Sequence, residues 1–213
     1  MEIYRFIFSP IEVNTFILTD ETGSSAIIDC GCYDSSEFGR LAGWLDNKGL
    51  EPELLLNTHC HLDHIFGNNY LLEKYGLKAV CHELEEPNRN NALNYAAFWG
   101  LTMDPPPEPG SLISEGQEVA FGNTTLRALH VPGHSAGSLA FYSEKDNVVF
   151  TGDALFAGGI GRTDLPGGDY RTLITSIKEK LFILPPETVV WPGHGEKTTV
   201  GAEINSNPYF INT

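Results

Sequence analysis

Between Thr58 and Gly67 the chain carries four side chains able to bind a transition metal: His59, His61, Asp63 and His64. In an extended or turning segment, residues i and i+2 project to the same side, so His59 and His61 can close on one metal while Asp63 and His64 address another. A histidine-rich loop can also be merely solvated, but three imidazoles and a carboxylate packed this tightly favour ligation. Three more donors stand in matching contexts. Val131-Pro-Gly-His134 and Trp191-Pro-Gly-His194 each present a histidine just after a strand-breaking Pro-Gly, and Phe150-Thr-Gly-Asp153 presents a carboxylate just after an apolar run.

This donor set is too large for one tetrahedral zinc, which takes four ligands, or three plus water at a catalytic site. Two divalent metal ions are implied, zinc foremost, with iron or manganese as alternatives. The economical partition puts His59, His61 and His134 on the first and Asp63, His64 and His194 on the second, with Asp153 bridging through its two oxygens. Such a pair activates a shared water near neutral pH and places Lewis acid on both sides of a scissile bond, so Asp63 and Asp153 count as catalytic residues as well as ligands. Of the remaining histidines, His82 and His130 sit in apolar or strand contexts and are expected to be structural. Cys30, Cys32, Cys60 and Cys81 form no disulfide framework and are expected to be small buried residues, although Cys60 lies between two ligands.

Elements must position these donors. Ile3 to Phe8, Asn14 to Leu18 and Ala26 to Asp29 predict strands, opening the fold as a hairpin or meander. Leu41, Trp44 and Leu45 recur at helical spacing and stop near Lys48-Gly49, and Leu54-Leu55-Leu56 is a short buried strand that delivers the chain into the histidine run. Phe66 to Tyr75 and Glu83 to Trp99 predict helices, with a strand at Lys78 to Cys81. Asp104-Pro-Pro-Pro-Glu-Pro-Gly110 must be an exposed connection. Beyond it come strands at Thr124 to Ala128, Ser138 to Tyr142, Asn147 to Phe150 and Thr188 to Trp191, and a helix over Tyr170 to Leu181. Strands followed by helices in both halves indicate an α/β sandwich of two sheets with outer helices.

A chain of 213 residues with 41% apolar and 19% charged residues is expected to form one globular domain over 1–213. The net charge of -15 argues against nucleic acid as a partner. No run approaches the roughly 18 apolar residues of a membrane span. The start Met1-Glu2-Ile3-Tyr4-Arg5 is unlike a signal peptide, so a cytoplasmic location is expected. Oligomeric state is not legible.

The T-H-x-H-x-D-H run, the later P-G-H, the G-D at Asp153 and the final P-G-H together resemble the metallo-β-lactamase superfamily, and within it the glyoxalase II branch of hydroxyacylglutathione hydrolases. Gly161-Arg-Thr-Asp-Leu-Pro-Gly-Gly-Asp169 and Thr198 to Pro208 extend the likeness over most of the chain. The resemblance implies a four-layer αβ/βα sandwich of two mixed sheets with two metals at one edge. It also implies hydrolysis of a thioester such as an S-acyl-glutathione by a metal-bound hydroxide, a small anionic substrate whose thiolate leaves without general-acid help. The resemblance further places a basic substrate-binding residue at Arg162, although an arginine paired with Asp164 or Asp169 in its own loop is an equal reading. Longer glyoxalase II enzymes hold glutathione on an extra C-terminal helical segment, whereas this sequence runs only to Thr213, so a short form is expected.

The rival on the same scaffold is a persulfide dioxygenase, in which His59, His134 and Asp153 hold a single iron. Hydrolysis is favoured because His61, Asp63, His64 and His194 are all present and because Leu165-Pro-Gly-Gly follows Gly161-Arg-Thr-Asp. β-Lactamases of the family often carry cysteine where Asp153 stands, and its RNA-processing nucleases need a partner that the acidic balance disfavours. A non-catalytic metal-binding module, being a closed four-ligand site, leaves the extra donors unexplained.

Overall fold

Side-chain alternation along the apolar runs decides the layering. Successive strand residues point to opposite faces, so a run that is apolar at every position must be covered on both sides. The computed structural model describes residues 1–211; Asn212 and Thr213, part of the expected 1–213 domain, lie outside them. The first sheet comprises β1 (Glu2–Phe8), β2 (Val13–Thr19), β3 (Ser25–Ile28), β4 (Pro52–Leu56), β5 (Ala79–Cys81) and β6 (Ser111–Leu112), hydrogen-bonded in that order. β1, β2 and β3 are antiparallel, whereas β3 to β6 run parallel. Then follow β7 (Glu118–Phe121), β8 (Thr124–His130), β9 (Leu139–Ser143), β10 (Val148–Gly152), the small hairpin β11 (Leu155–Phe156) and β12 (Gly159–Ile160), β13 (Val189–Pro192) and β14 (Thr198–Thr199). The second sheet has the order β14-β13-β10-β9-β8-β7, with β10 and β13 parallel and its other pairs antiparallel.

Both sheets are therefore mixed, and helices cover their outer faces. Phe16, Leu18, Ile28 and Leu56 of the first sheet meet Leu126, Ala128, Phe141 and Phe150 of the second in one buried cluster. The alternate residues Ile17, Ile27 and Leu55 face outward against Leu41 and Leu45 of α1 (Ser35–Lys48) and, beyond the short α2 (Leu62–Ile65) in the chain, Leu71 of α3 (Asn68–Tyr75). On the far side Tyr142, Val149 and Val190 pack against Leu173 and Val200 of helices α5 (Tyr170–Ser176) and α6 (Val200–Ser206). The layers run helix, sheet, sheet, helix, which is the expected four-layer αβ/βα arrangement. Among the described residues no helix is long and apolar enough to cross a membrane.

The structure differs from the sequence reading at element ends. The helix expected over Phe66 to Tyr75 begins only at Asn68, as α3, and α2 is a separate turn before it, because the chain presses against the end of β3 at Gly67. There a Cβ would meet Cys30 Sγ at 2.2 Å, and the Gly67 N–H donates to Cys30 O at 2.8 Å. The segment Glu83 to Trp99 begins with a 3-10 turn, Glu83–Glu85, before α4 (Glu86–Phe98). The helix over Tyr170 to Leu181 changes at Ser176 into a π-helical turn, Ile177–Leu181. The strands β6, β7, β11, β12 and β14 and the helix α6 are absent from the sequence reading. All four cysteines are free and buried.

The 3-10 turn matters because of Glu85, which is fully buried. Its Oε2 accepts from Cys60 N (2.7 Å) and Asn88 Nδ2 (2.9 Å), and its Oε1 accepts from Ser135 Oγ (2.6 Å) and Gly137 N (2.8 Å). One carboxylate thus ties the loop after β4 to the loop after β8. Removing it orphans buried donors at about 1–3 kcal/mol each. Glu85→Ala is expected to lower the unfolding free energy by about 3 kcal/mol or more, measured by urea denaturation; a variant as stable as the parent would show that the carboxylate does not hold the loops.

Candidate metal centre

Every donor singled out in the sequence emerges beyond the C-terminal end of a strand. His59, His61, Asp63 and His64 follow β4, His134 follows β8, Asp153 follows β10 and His194 follows β13. The second sheet's pairing explains the meeting, because β8 and β10 are both antiparallel to β9 and β13 is parallel to β10, so all three end at the same edge. The first sheet is brought to that edge by Asn14. Its N–H donates to Gly193 O (2.7 Å), and its side-chain amide donates to Pro192 O and Gly195 O, each at 2.9 Å.

The seven side chains form three overlapping donor groups: His59, His61 and His134; His59, His64 and Asp153; Asp63, His64 and His194. Within each group the ligand atoms lie within 4.8 Å of one another. His61 Nδ1 lies 2.8 Å from His134 Nε2, which lies 3.2 Å from His59 Nε2. Ligands of a tetrahedral zinc, with bonds of about 2.0–2.1 Å, stand about 3.3 Å apart. Asp63 Oδ2 is 3.1 Å from His194 Nε2 and 3.6 Å from His64 Nε2. Asp153 lies between the outer groups, with Oδ1 3.4 Å from His64 and Oδ2 3.7 Å from His134 and 3.6 Å from His194.

Hydrogen bonds on the far side of the rings set the chemistry of the near side. His134 Nδ1 can only donate to Arg162 O (2.8 Å), and His194 Nδ1 only to Glu12 O (3.2 Å). His64 Nδ1 donates to the Asp29 carboxylate (2.9 Å). The Thr58 hydroxyl gives its proton to the same carboxylate (2.6 Å), so at 3.1 Å it accepts from His59 Nδ1. A neutral ring so placed carries its proton on Nδ1, which leaves Nε2 of His59, His64, His134 and His194 as a lone pair available to a cation. Those lone pairs face one another and two carboxylates. His64 Nε2 and Asp153 Oδ1 are buried without a hydrogen-bond partner among the described residues. Acceptors turned on acceptors in a buried site require cations between them, so the donor set fits the metals that the sequence implies.

The supporting residues were missed in the sequence reading. Asp29 is buried and holds φ at +54°, and Glu12 holds φ at +60°, a left-handed conformation uncommon outside glycine and asparagine. Asp29 had a legible signal, an acid ending the apolar run Ala26-Ile27-Ile28 as Asp153 follows Phe150, whereas Glu12 acts through its carbonyl and leaves no trace in residue type. Gly193 lets the last loop close, since a Cβ there would meet Asp153 Oδ1 at 2.2 Å. His82 and His130 lie outside the donor groups and stack on each other, centroids 4.5 Å apart and planes 7° from parallel. Cys60 is buried with its N–H on Glu85.

Arg162 lines the mouth of the site but is not free. Its Nε and Nη2 donate to the two oxygens of Asp164, both at 2.8 Å, the loop pairing that the sequence leaves as an equal reading. A cavity of about 270 Å³ opens over the ligands, bounded by Ile11, Leu62, Tyr95, Trp99 and Leu165 together with His61, Asp63, His134, Asp153, Arg162 and His194.

Without metal the two halves of the cluster carry different charge. Burial and the neighbouring imidazoles push His59 well down, and burial with His134 pushes His61 down to about 3, so both stay neutral. Burial also opposes charge on His64, but Asp63, Asp29 and Asp153 outweigh it and raise its pKa; the hydrogen bond to Asp63 and the charge of Asp153 raise His194 against the same burial. Burial likewise disfavours ionised Asp63 and Asp153, yet the positive rings, His64 first, hold both below the ordinary carboxylate range. A metal entering the Asp63, His64 and His194 group must displace protons, whereas one entering at His59 and His61 meets neutral rings. Loading with zinc near neutral pH, followed calorimetrically in buffers of different ionisation enthalpy, is therefore expected to release protons mainly with one of two equivalents, and that equivalent should weaken more steeply on acidification. Equal proton release in both steps would contradict this charge division.

Comparison with known proteins agrees with the geometry. The metallo-beta-lactamase superfamily model matches residues 9–194. The chain is 36% identical over 216 residues to the probable metallo-hydrolase YqgX of Bacillus subtilis, covering 99% of this chain and 98% of that protein. It is 36% identical over 212 residues to the hydroxyacylglutathione hydrolase GloC of Haemophilus influenzae, with 99% and 98% covered. Among solved structures, the BLEG-1 B3 metallo-beta-lactamase has a TM-score of 0.91 at 32% identity, covering 99% of this chain and 100% of that one. TTHA1623, in a di-iron-bound form, has a TM-score of 0.88 at 38% identity, covering 97% and 100%. With donor groups, sheet order and near full-length relatives in agreement, the chain belongs to the metallo-beta-lactamase superfamily, in its glyoxalase II-like branch.

Proposed function

We propose that this protein is a dinuclear metal-dependent hydrolase acting on a thioester of the S-acyl-glutathione type. The observation that carries the reading is the set of lone pairs and carboxylate oxygens converging in two groups about Asp153. Two divalent cations held there supply Lewis acidity and a water deprotonated near neutral pH. The protein's own part is to fix the donors before a substrate arrives. His59, His61 and His134 would hold one cation, Asp63, His64 and His194 the other, and Asp153 stands where its two oxygens can reach both. Zinc suits this nitrogen and oxygen set, while the di-iron form of TTHA1623 supports iron as an alternative.

A thioester suits the rest of the cavity. A thiolate leaves without a proton donor, and among the described residues the cavity wall offers no carboxylic acid beyond the ligands. The name of the Haemophilus influenzae relative, a hydroxyacylglutathione hydrolase, supports the same class. Four free, buried cysteines suit the reducing cytoplasm. A single-iron dioxygenase held by His59, His134 and Asp153 leaves Asp63 and His194, 3.1 Å apart, without a task.

Asp153→Ala removes the carboxylate common to both sites without touching the strands or either sheet's core. It is expected to lower kcat/KM for S-acyl-glutathione hydrolysis by at least about a hundredfold, with unchanged circular dichroism. Near-normal turnover in the folded variant, or oxygen-dependent oxidation of a persulfide in place of thioester cleavage by the parent protein, would overturn the proposal.

A further inference from the structure

The cavity over the ligands is walled by apolar side chains that the cluster itself does not require. Ile11 comes from the turn after β1, Leu62 from the ligand loop, Tyr95 and Trp99 from the end of α4, and Leu165 from the loop beyond Arg162. Trp99 is 57% exposed and Ile11 38%, so large apolar side chains gather at the mouth of a protein whose net charge is -15. Phe98 packs edge-on to Trp99, centroids 5.5 Å apart, and extends the apolar rim. Among the described residues Arg162 is the cavity's one cation apart from the histidines, and its Nε and Nη2 already donate to Asp164. A substrate carboxylate seeking Arg162 has to displace an aspartate that holds it bidentately.

We propose, building on the thioesterase reading, that the acyl pocket of this enzyme selects apolar, uncharged acyl groups, aliphatic or aromatic, over small hydroxyacyl groups. The thioester carbonyl must sit over the ligands, and two groups extend from it. Glutathione is a charged tripeptide that would lose its hydration against these walls, so it lies toward solvent. The acyl group is then what a cavity of about 270 Å³ encloses against Leu62, Tyr95 and Trp99. Methylenes beyond the carbonyl fill that apolar wall, which a short hydroxyacyl group leaves empty, and a single methylene in an apolar pocket changes discrimination by about tenfold or more.

The test compares S-hexanoylglutathione with S-lactoylglutathione, which share one carrier, on the metal-loaded full-length protein. The expected kcat/KM favours the hexanoyl ester by at least about tenfold. Trp99→Ala, at an exposed helix end where truncation leaves the core intact, should erase most of that preference by slowing hexanoyl cleavage several-fold more than lactoyl cleavage, with metal content unchanged. A parent protein that cleaves the lactoyl ester as well or better, or a Trp99→Ala variant that loses both equally, overturns this inference and leaves the thioesterase reading standing. Turnover of neither ester overturns both.

Discussion

The structure depends on how the outer nitrogens of its ligand histidines are occupied. Arg162 O, Glu12 O, the Asp29 carboxylate and the Thr58 hydroxyl, itself oriented by Asp29, each accept a hydrogen bond from a ring. Once those protons are committed outward, the inner nitrogens are lone pairs aimed at one another, which is stable only around positive charge. Binding strength for cations is thus built in by the fold, and the same arrangement makes the metal-free cluster a place where protons substitute for metal. The rings of His64 and His194 are drawn toward the charged form by the carboxylates that would otherwise face a cation.

Holding so many acceptors together requires the surrounding backbone to resist their repulsion. Two of the supporting residues, Glu12 and Asp29, sit in left-handed backbone at a cost of order 1–3 kcal/mol each. The strain is borne by the most regular part of the molecule. Asp29 directly follows β3, fully buried between β2 and β4, and Glu12 directly precedes the fully buried β2. Across the sheets Asn14 and Glu85 play matching parts. One stitches the first sheet to the loop bearing His194, and the other stitches the loop bearing His59 and His61 to the loop bearing His134. The two sheets therefore meet at the ligand edge through polar side chains and elsewhere through the apolar cluster of Phe16, Phe141 and Phe150.

The donors were legible in the sequence because metal ligation leaves a dense local mark: three imidazoles and a carboxylate in one short run, and Pro-Gly or Thr-Gly before each distant ligand. The layering was legible because apolar residues at consecutive strand positions demand cover on both faces. What supports the ligands was not legible, for physical reasons. Glu85 stands in Glu83-Leu-Glu-Glu, a run indistinguishable from a solvated face until Cys60, Ser135 and Gly137 are brought to it from distant parts of the chain. Carbonyl acceptors such as Arg162 O carry no sequence signature, and for Arg162 the residue type drew attention to the guanidinium while its backbone reaches His134. Strands of two residues such as β6, β11, β12 and β14 are too short to show alternation, and their existence follows from pairing with neighbours.

Asp153 stands between the two outer donor groups, and locating the metals directly is the sharpest test of a dinuclear site. Crystals of the metal-loaded protein, measured at the absorption edge of the bound element, should show two anomalous peaks: one among His59, His61 and His134, the other among Asp63, His64 and His194, with Asp153 oxygens reaching both. A single peak on His59, His134 and Asp153, with Asp63 and His194 left unligated at full metal loading, would contradict it.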